Sequence, residues 1–392
     1  MVGGRLKTVW SPERHPQPGS PDKDRKRNRG VYDAAVEPGN LRVGYDVGPT
    51  IDTRTGVGRY TAELQRSLTL QGARLLPYAI ALRGSTPDGA ARRRLPARLV
   101  QKLWMAGRGP SVERLLGGVD IVHATNFVLP SLKDSRGVVT IHDLSFFRKD
   151  IFPGGERLHD LVPWSIDRAS GVITPTETVA AELNERLGVT PDRITVTPEG
   201  VSPVFFGATP LADAALERLG IRRPFAVAAG TIEPRKNLPA LLQAWRRIAD
   251  QTEGWTLVLA GPRGWGPELP RTPGVTLTGW VGDETLPGLL SAAEFFCYPS
   301  HYESFGLPPL EAMATGTPVL AGNYSCAKEV LADAALIVDS GDVDSIADGL
   351  TKLASDAALR KSLGFAGRAR ASSYTWERTA SLTIGAYKAA LV

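Results

Sequence analysis

The chain of 392 residues is too long for one ordinary hydrophobic core and long enough for two domains. Its 42% hydrophobic and 22% charged residues exclude a disordered or fibrous protein; no run nears the ~18–20 apolar residues of a membrane span, and two cysteines, Cys297 and Cys326, are too few for a zinc site or a disulfide framework. The net charge is +5, and +3 of it falls on residues 1–40, which hold eight Lys/Arg against five Asp/Glu.

Residues 1–40 are rich in Pro and Gly, as in Gln17-Pro18-Gly19-Ser20-Pro21, and lack apolar periodicity, so a disordered basic tail is expected. The run Lys23-Asp24-Arg25-Lys26-Arg27 reads as a solvated tail; no motif for nucleic acid follows, and no nucleic-acid partner is expected. The N-terminus has no apolar signal-peptide core, which makes the cytoplasm the expected address.

From Leu41 on, short apolar runs alternate with helical patterns. Strands are expected over 42–47, 75–80, 121–124, 138–141, 171–174 and 194–197, then over 225–229, 255–260, 275–278, 294–298, 318–321 and 336–338. Most are continuous apolar runs, as in strands buried on both faces. Helices over 57–70, 238–250 and 344–354 are among those that separate them. The fold class is therefore α/β, with two doubly wound Rossmann-like domains facing each other across a cleft. Residues 41–206 are expected to form the N-terminal Rossmann-like domain and 207–374 the C-terminal one, with 375–392 a helix free to cross back onto the first.

Within the first half, the segment 92–105 sets Arg94, Arg98 and Lys102 at helical spacing beside Leu95, Leu99 and Leu103, with Val100 and Trp104 beyond. Two readings stand: an interfacial helix on an anionic membrane, or a surface helix packing its leucines on the domain. His142 follows a buried strand at the cleft edge, as does His123, which reads as structural.

In the second half, a strand ends at Gly230 and leads through Glu233-Pro234-Arg235-Lys236 to Asn237, a favoured N-cap with Pro239 in the first turn. Two adjacent cations at a helix start repel unless an anion offsets them, so Arg235 and Lys236 read as a diphosphate site. Further on, Ser300-His301-Tyr302-Glu303-Ser304-Phe305-Gly306-Leu307-Pro308-Pro309-Leu310-Glu311 follows another strand. It puts Glu303 on a loop and Glu311 one turn inside a helix, two carboxylates suited to sugar hydroxyls. Asp342-Val343-Asp344 resembles a metal-binding triplet, but at a helix start Asp342 reads as an N-cap, and no metal is expected.

Glu303 and Glu311, seven residues intervening, with Pro234-Arg235-Lys236-Asn237 upstream, resemble the signature of family 4 retaining glycosyltransferases of the GT-B fold. Further matches are Thr55-Gly56-Val57-Gly58-Arg59-Tyr60, Val139-Thr140-Ile141-His142-Asp143-Leu144, residues 195–205, and Pro308 through Ala314 into Gly316-Thr317-Pro318-Val319. The likeness covers about residues 41–390 and is greatest to mannosyltransferases that extend bacterial O-antigen and capsule polysaccharides. It implies that Arg235 and Lys236 bind the diphosphate, with Lys236 the less regular match because the family's second cation often lies further on. Glu311 then holds the ribose, and Glu303 the donor sugar beside the Phe305, Gly306 and Leu307 backbone. Gly56 and Gly58 belong to the loop that closes over the phosphates, Gly230 lines the donor, and the Gly279-Trp280-Val281 turn reads the base. His142 reaches the transferred sugar or its phosphate. Ser304 stands where the family often has glycine.

The resemblance also implies same-face attack with retention, the leaving phosphate taking the acceptor's proton, and no divalent metal. The co-substrate it suggests is a nucleotide sugar, GDP-mannose first and a UDP-sugar second. The acceptor would be a glycan or lipid-linked glycan of the cell envelope, reached at the inner face of the membrane. A nucleotide-sugar 2-epimerase, or an inactive nucleotide-sugar-binding protein, would share the architecture.

Overall fold

A computed structural model describes residues 41–52, 55–148, 152 and 155–392; the tail expected over 1–40 lies outside the described residues. Seven strands form the first sheet: β1 (Arg42–Asp46), β2 (Arg74–Ile80), β3 (Ala91–Arg93), β4 (Ile121–Ala124), β5 (Arg136–Thr140), β6 (Gly171–Thr174) and β7 (Ile194–Val196). Six form the second: β8 (Phe225–Ala229), β9 (Thr256–Ala260), β10 (Val275–Gly279), β11 (Phe295–Tyr298), β12 (Val319–Gly322) and β13 (Leu336–Val338).

The sheets run β3-β2-β1-β4-β5-β6-β7 and β10-β9-β8-β11-β12-β13, with every pairing parallel. Parallel neighbours need crossovers, and helices on both faces bury the strands; β4, β9, β11 and β12 are buried at every residue. In each half the chain winds outward from its first strand, then returns to that strand's other side. That reversal leaves a crevice at the carboxyl edge between β1 and β4 and another between β8 and β11, where ligands of such sheets bind.

Loops of the two halves meet there. Thr176 Oγ1 donates to the Ser304 carbonyl at 3.0 Å, and Glu329 accepts the Glu177 and Thr178 backbone N–H groups at 2.7 and 3.0 Å. The last helix, Trp376–Leu391, packs on the helix Gly56–Leu70 and on β5, β6 and β7. It starts with Thr375 capping the Arg378 N–H, and its Tyr387 hydroxyl meets His123 Nδ1 at 2.7 Å. Gly200 makes this passage possible: a Cβ there would sit 2.3 Å from the Trp376 backbone nitrogen.

The segment 92–105 differs from expectation. It begins as the edge strand β3, and the helix runs only from Ala97 to Met105, after Pro96. Proline disfavours helical backbone in the residue before it, so Arg94 and Leu95 fall outside the helix, and the stripe of Arg94, Arg98 and Lys102 does not exist as one helical row. The helix buries Val100 and Trp104 and leaves Leu99 exposed, so its leucines are not the packing face.

Candidate active site

β8 is apolar throughout and delivers the chain to Gly230, where φ is +133°. The loops after β8 and β9 touch backbone to backbone here: a Cβ on Gly261 would lie 2.0 Å from the Gly230 carbonyl oxygen. A single 3-10 turn, Pro234–Lys236, then aims Arg235 and Lys236 at the crevice. Asn237 does not cap the helix Leu238–Arg247 with its side chain, as its residue type suggests. Its φ is +56°, and Nδ2 donates instead to the carbonyls of Ser340 (2.7 Å) and Pro299 (3.2 Å), tying this turn to the ends of β11 and β13.

Beyond β11, Glu303 reaches back to that turn. Its carboxylate is buried and takes one oxygen to Arg235 and the other to the Lys236 ammonium at 2.8 Å. Arg235 Nε also meets Glu233 at 2.6 Å, and Lys236 lies 4.4 Å over the Tyr298 ring. The basic pair is therefore not an open anion site: the offsetting anion expected from a ligand is supplied first by Glu303 and Glu233. Burial works against the charge on Glu303, yet Arg235 and Lys236 outweigh it and hold its carboxyl at about 2. Burial, with Arg235 alongside, draws the Lys236 ammonium down to about 8.

Gly306, at φ +97°, turns the chain into the helix Leu307–Ala314, with Phe305 buried behind it and Leu307 half-buried at its start. Glu311 sits inside this helix, buried, and its Oε1 pairs with Arg59 from the first half. Arg59 also meets Asp283 at 2.9 Å. Burial pushes the Glu311 carboxyl above the ordinary carboxylate range, against the pull of Arg59. Its Oε2 makes no hydrogen bond among the described residues. Gly56 and Gly58 occupy the first turn of the helix that carries Arg59, where Thr55 Oγ1 accepts the Gly58 N–H at 3.0 Å; space around Gly56 is open. Val281 follows the Gly279 turn, half-buried at the edge of the second core, beside an exposed Trp280.

His142 stands apart from these clusters. It is buried, with its ring edge-on to Tyr60 at 4.7 Å; Nε2–H donates to the Thr125 carbonyl at 2.8 Å and Nδ1 faces Glu199 at 3.8 Å. Its loop touches the Glu303 loop through the Leu144 N–H, 3.4 Å from the Tyr302 hydroxyl. His123 is fully buried between Tyr387 and Thr140 at 2.7 and 2.8 Å, and burial, then nearby His142, lowers it to about 3: a neutral core histidine. Asp342 accepts the Asp344 N–H as an N-cap, and Asp344 pairs with Arg247.

Thus Arg235, Lys236 and Glu303 form one cluster, Glu311 joins the Gly56–Gly58 segment through Arg59, and His142 forms a third group with Glu199. Arg59, Asp283, Glu199 and Glu233 went unassigned in the sequence reading, although Arg59, Glu199 and Glu233 lie within quoted motifs. Arg59 and Glu311 are 252 positions apart, and no local pattern pairs them.

Residues 54–205 match the family described as Glycosyltransferase Family 4, and 216–370 that described as Glycosyl transferases group 1. The chain is 34% identical over 282 residues to the O-antigen chain mannosyltransferase B of Escherichia coli, covering 68% of this chain and 74% of that one. It is 28% identical over 362 residues to a D-inositol 3-phosphate glycosyltransferase of Kribbella flavida, covering 84% and 82%. Among solved structures, a sucrose-phosphate synthase from Thermosynechococcus elongatus superposes with a TM-score of 0.67 at 19% identity, covering 88% of this chain and 97% of that one.

Proposed function

The chain belongs to the family 4 glycosyltransferases of the GT-B fold, and we propose that it transfers mannose from GDP-mannose to a glycan or lipid-linked acceptor of a cell-envelope polysaccharide. The nucleotide-sugar donor is common to the family; the mannosyl choice rests on likeness to the O-antigen mannosyltransferase. The observation that carries the site assignment is the cluster of Arg235, Lys236 and Glu303 at the carboxyl edge between β8 and β11.

In this reading the donor diphosphate lies against Arg235 and Lys236, and Glu303 exchanges part of its contact with them for a hydroxyl of the sugar. Cleaving the anomeric C–O bond puts negative charge on the leaving phosphate, which the two fixed cations stabilise without a divalent metal. The acceptor oxygen bonds to the anomeric carbon from the same face, and its proton passes to the leaving phosphate oxygen. Glu311 Oε2 takes a ribose hydroxyl while Oε1 keeps Arg59. The Phe305, Gly306 and Leu307 backbone and Gly230 border the sugar and phosphates, Gly56 and Gly58 admit the phosphates closely, and Val281 lies beside the base. His142, held by Thr125, faces the transferred sugar.

A lipid-linked acceptor would require contact with a membrane. The helix Ala97–Met105 presents Arg98, Leu99, Lys102 and Met105 outward, a short basic and apolar face. No helix among the described residues is long and apolar enough to cross a membrane. Arg98→Glu/Lys102→Glu should lose sedimentation with anionic vesicles, each cation being worth about 1 kcal/mol near such a surface; equal sedimentation of both proteins would remove this face as the anchor.

The direct test is transfer from radiolabelled GDP-mannose, UDP-glucose and UDP-N-acetylglucosamine to methyl mannosides and extracted lipid-linked glycans. Product from GDP-mannose is expected. Exclusive use of a UDP-sugar would overturn the donor, and release of an epimer without transfer would overturn the reaction.

A further inference from the structure

One buried carboxylate at the cleft has no task in the transfer as described. Glu199 lies in the loop from β7 to the short helix Pro203–Phe206, and the last helix with the residues just before it fixes that loop at three points. Thr379 Oγ1 donates to the Pro198 carbonyl at 2.6 Å, Gly200 presses on the Trp376 backbone, and the Val201 N–H donates to the Tyr374 carbonyl at 3.0 Å. Packing thereby sets where the Glu199 side chain stands. Glu303 and Glu311 are also buried, and each has a cation. Glu199 meets neither Lys nor Arg, and makes no hydrogen bond, among the described residues. A buried carboxylate left in that state is costly, and a native fold pairs most of its buried polar groups.

Its neighbour is His142. Nε2–H donates to the Thr125 carbonyl at 2.8 Å. A carbonyl only accepts, so the ring proton sits on Nε2, and Nδ1 of the neutral imidazole is an acceptor. Nδ1 stands 3.8 Å from Glu199 Oε1, beyond hydrogen-bond range. Two acceptors thus face each other across a gap that neither can close. Whatever fills it must donate two hydrogens, and a single hydroxyl has only one. Two neighbouring hydroxyls of one sugar meet that demand.

The rings packed on His142 leave the demand to a ligand. Tyr60, edge-on at 4.7 Å, has its hydroxyl engaged with Thr140 at 3.1 Å, and Phe127, edge-on at 5.9 Å, is apolar. The pair also borders the donor cleft. The side chains of His142 and Glu199 keep 7% and 11% of their surface accessible. The charge of Glu199 is felt at Glu311, whose carboxyl is raised first by burial, against Arg59, and further by Asp283 and Glu199.

We propose that Glu199 is a specificity-determining residue for the transferred sugar. One hydroxyl of the hexose donates to its carboxylate and the neighbouring hydroxyl donates to His142 Nδ1, so the pair selects a sugar that carries both. The assignment rests on the reading of the cleft as a nucleotide-sugar site. The bond to the carboxylate is charge-assisted and the stronger of the two. A sugar lacking either hydroxyl leaves the acceptor opposite it buried and unmet, which is the costly arrangement.

The test uses the full chain and competition binding with GDP-mannose, UDP-glucose, the monodeoxy analogues of each sugar, and GDP and UDP alone. Glu199→Gln keeps the shape of the side chain and removes an unpaired buried charge, so it should fold, which thermal denaturation checks. In the wild type, removal of either of two neighbouring hydroxyls should weaken the preferred nucleotide sugar by about tenfold or more. In Glu199→Gln one of those two penalties should shrink by about threefold or more, while the other, and the affinity for the bare nucleotide, stay unchanged. His142→Ala should erase the other penalty. A wild type in which no two neighbouring hydroxyls matter overturns the proposal. So does a deoxy series spaced alike in the wild type and Glu199→Gln, or an equal loss of affinity for the bare nucleotide, either of which makes Glu199 a structural group. A wild type that binds neither the nucleotides nor their sugars overturns the donor reading, and this assignment with it.

Discussion

The two switch points of this molecule are built on the same strand order and are wired in opposite ways. Between β8 and β11 every charge has its complement: Glu303 joins Arg235 and Lys236, and Glu233 completes the set. Between β1 and β4 the carboxyl of Asp46 meets no cation among the described residues, and the buried Tyr78 hydroxyl and Asn126 Oδ1 have no hydrogen-bond partner among them. A site for a dianionic diphosphate must hold strong cations, and those need internal counter-ions to be stable before the ligand arrives. The edge between β1 and β4 has no such counter-ion requirement and leaves only the cost of its unmet groups, about 1–3 kcal/mol for each that is buried.

The largest effect that should separate the two is Arg235→Ala. It removes a cation proposed to face the leaving phosphate, and kcat/KM for the donor should fall by the equivalent of about 2–4 kcal/mol. It also leaves Glu233 and Glu303 short of a partner, so the melting temperature should fall as well, by the equivalent of about 1–3 kcal/mol. Steady-state kinetics beside thermal denaturation measures both; near-normal turnover in a folded variant would remove the cluster from the chemistry.

Next in size, Glu303→Gln should act mainly on kcat, because Glu303 is proposed to contact the transferred sugar, and Glu311→Gln mainly on the donor KM. Glu311→Gln also weakens the link to Arg59, which small-angle scattering without ligand should register as a more open molecule. Indistinguishable kinetics for the two variants would erase the division of roles.

A pH profile sharpens the contrast further. Lys236 titrates below its ordinary range, at about 8, so its proton is present below that pH and lost above it. The donor kcat/KM should accordingly fall as pH rises through about 8, and Lys236→Arg should move this limb to higher pH. An unshifted limb in the arginine variant would assign it to another group.

On the other side, the folded state of Asp46 binds its proton more tightly than an unfolded chain does, since burial raises it to about 6. Its penalty on stability is absent well below pH 4, grows between there and about 6, and is fully present above. Asp46→Asn should therefore be more stable than wild type at pH 7, by about 1 kcal/mol after allowance for its partial exposure, and equally stable near pH 3.5. Denaturant unfolding at the two pH values measures the difference; a destabilised variant at pH 7 would make Asp46 a structural group. The smallest expected effect is none at all: EDTA should leave transfer unchanged, and a loss restored by manganese would end the metal-free reading.

The period and continuity of apolar runs were enough to foresee twelve of the thirteen strands, because strands buried on both faces leave that pattern in the chain. The exception, β3, is three residues long at a sheet edge, and Ala91–Arg93 has no apolar run to reveal it. The turn with Arg235 and Lys236 and the loop with Glu303 were legible as motifs, since each is a local sequence between a strand and a helix. The cost of placing two cations side by side was also legible, but not what offsets it.

Sequence by itself thus determined the two-fold α/β plan, the segments at the strand ends and the residue types available there. Tertiary structure alone decided the partners. Glu303 meets Arg235 from 68 positions away, Arg59 meets Glu311 from 252, and Asp46 finds no cation among the described residues. Periodicity reports which face of an element is buried, because burial repeats with the backbone; an ion pair depends on where two distant strand ends come to lie, and no repeat in the chain records that distance.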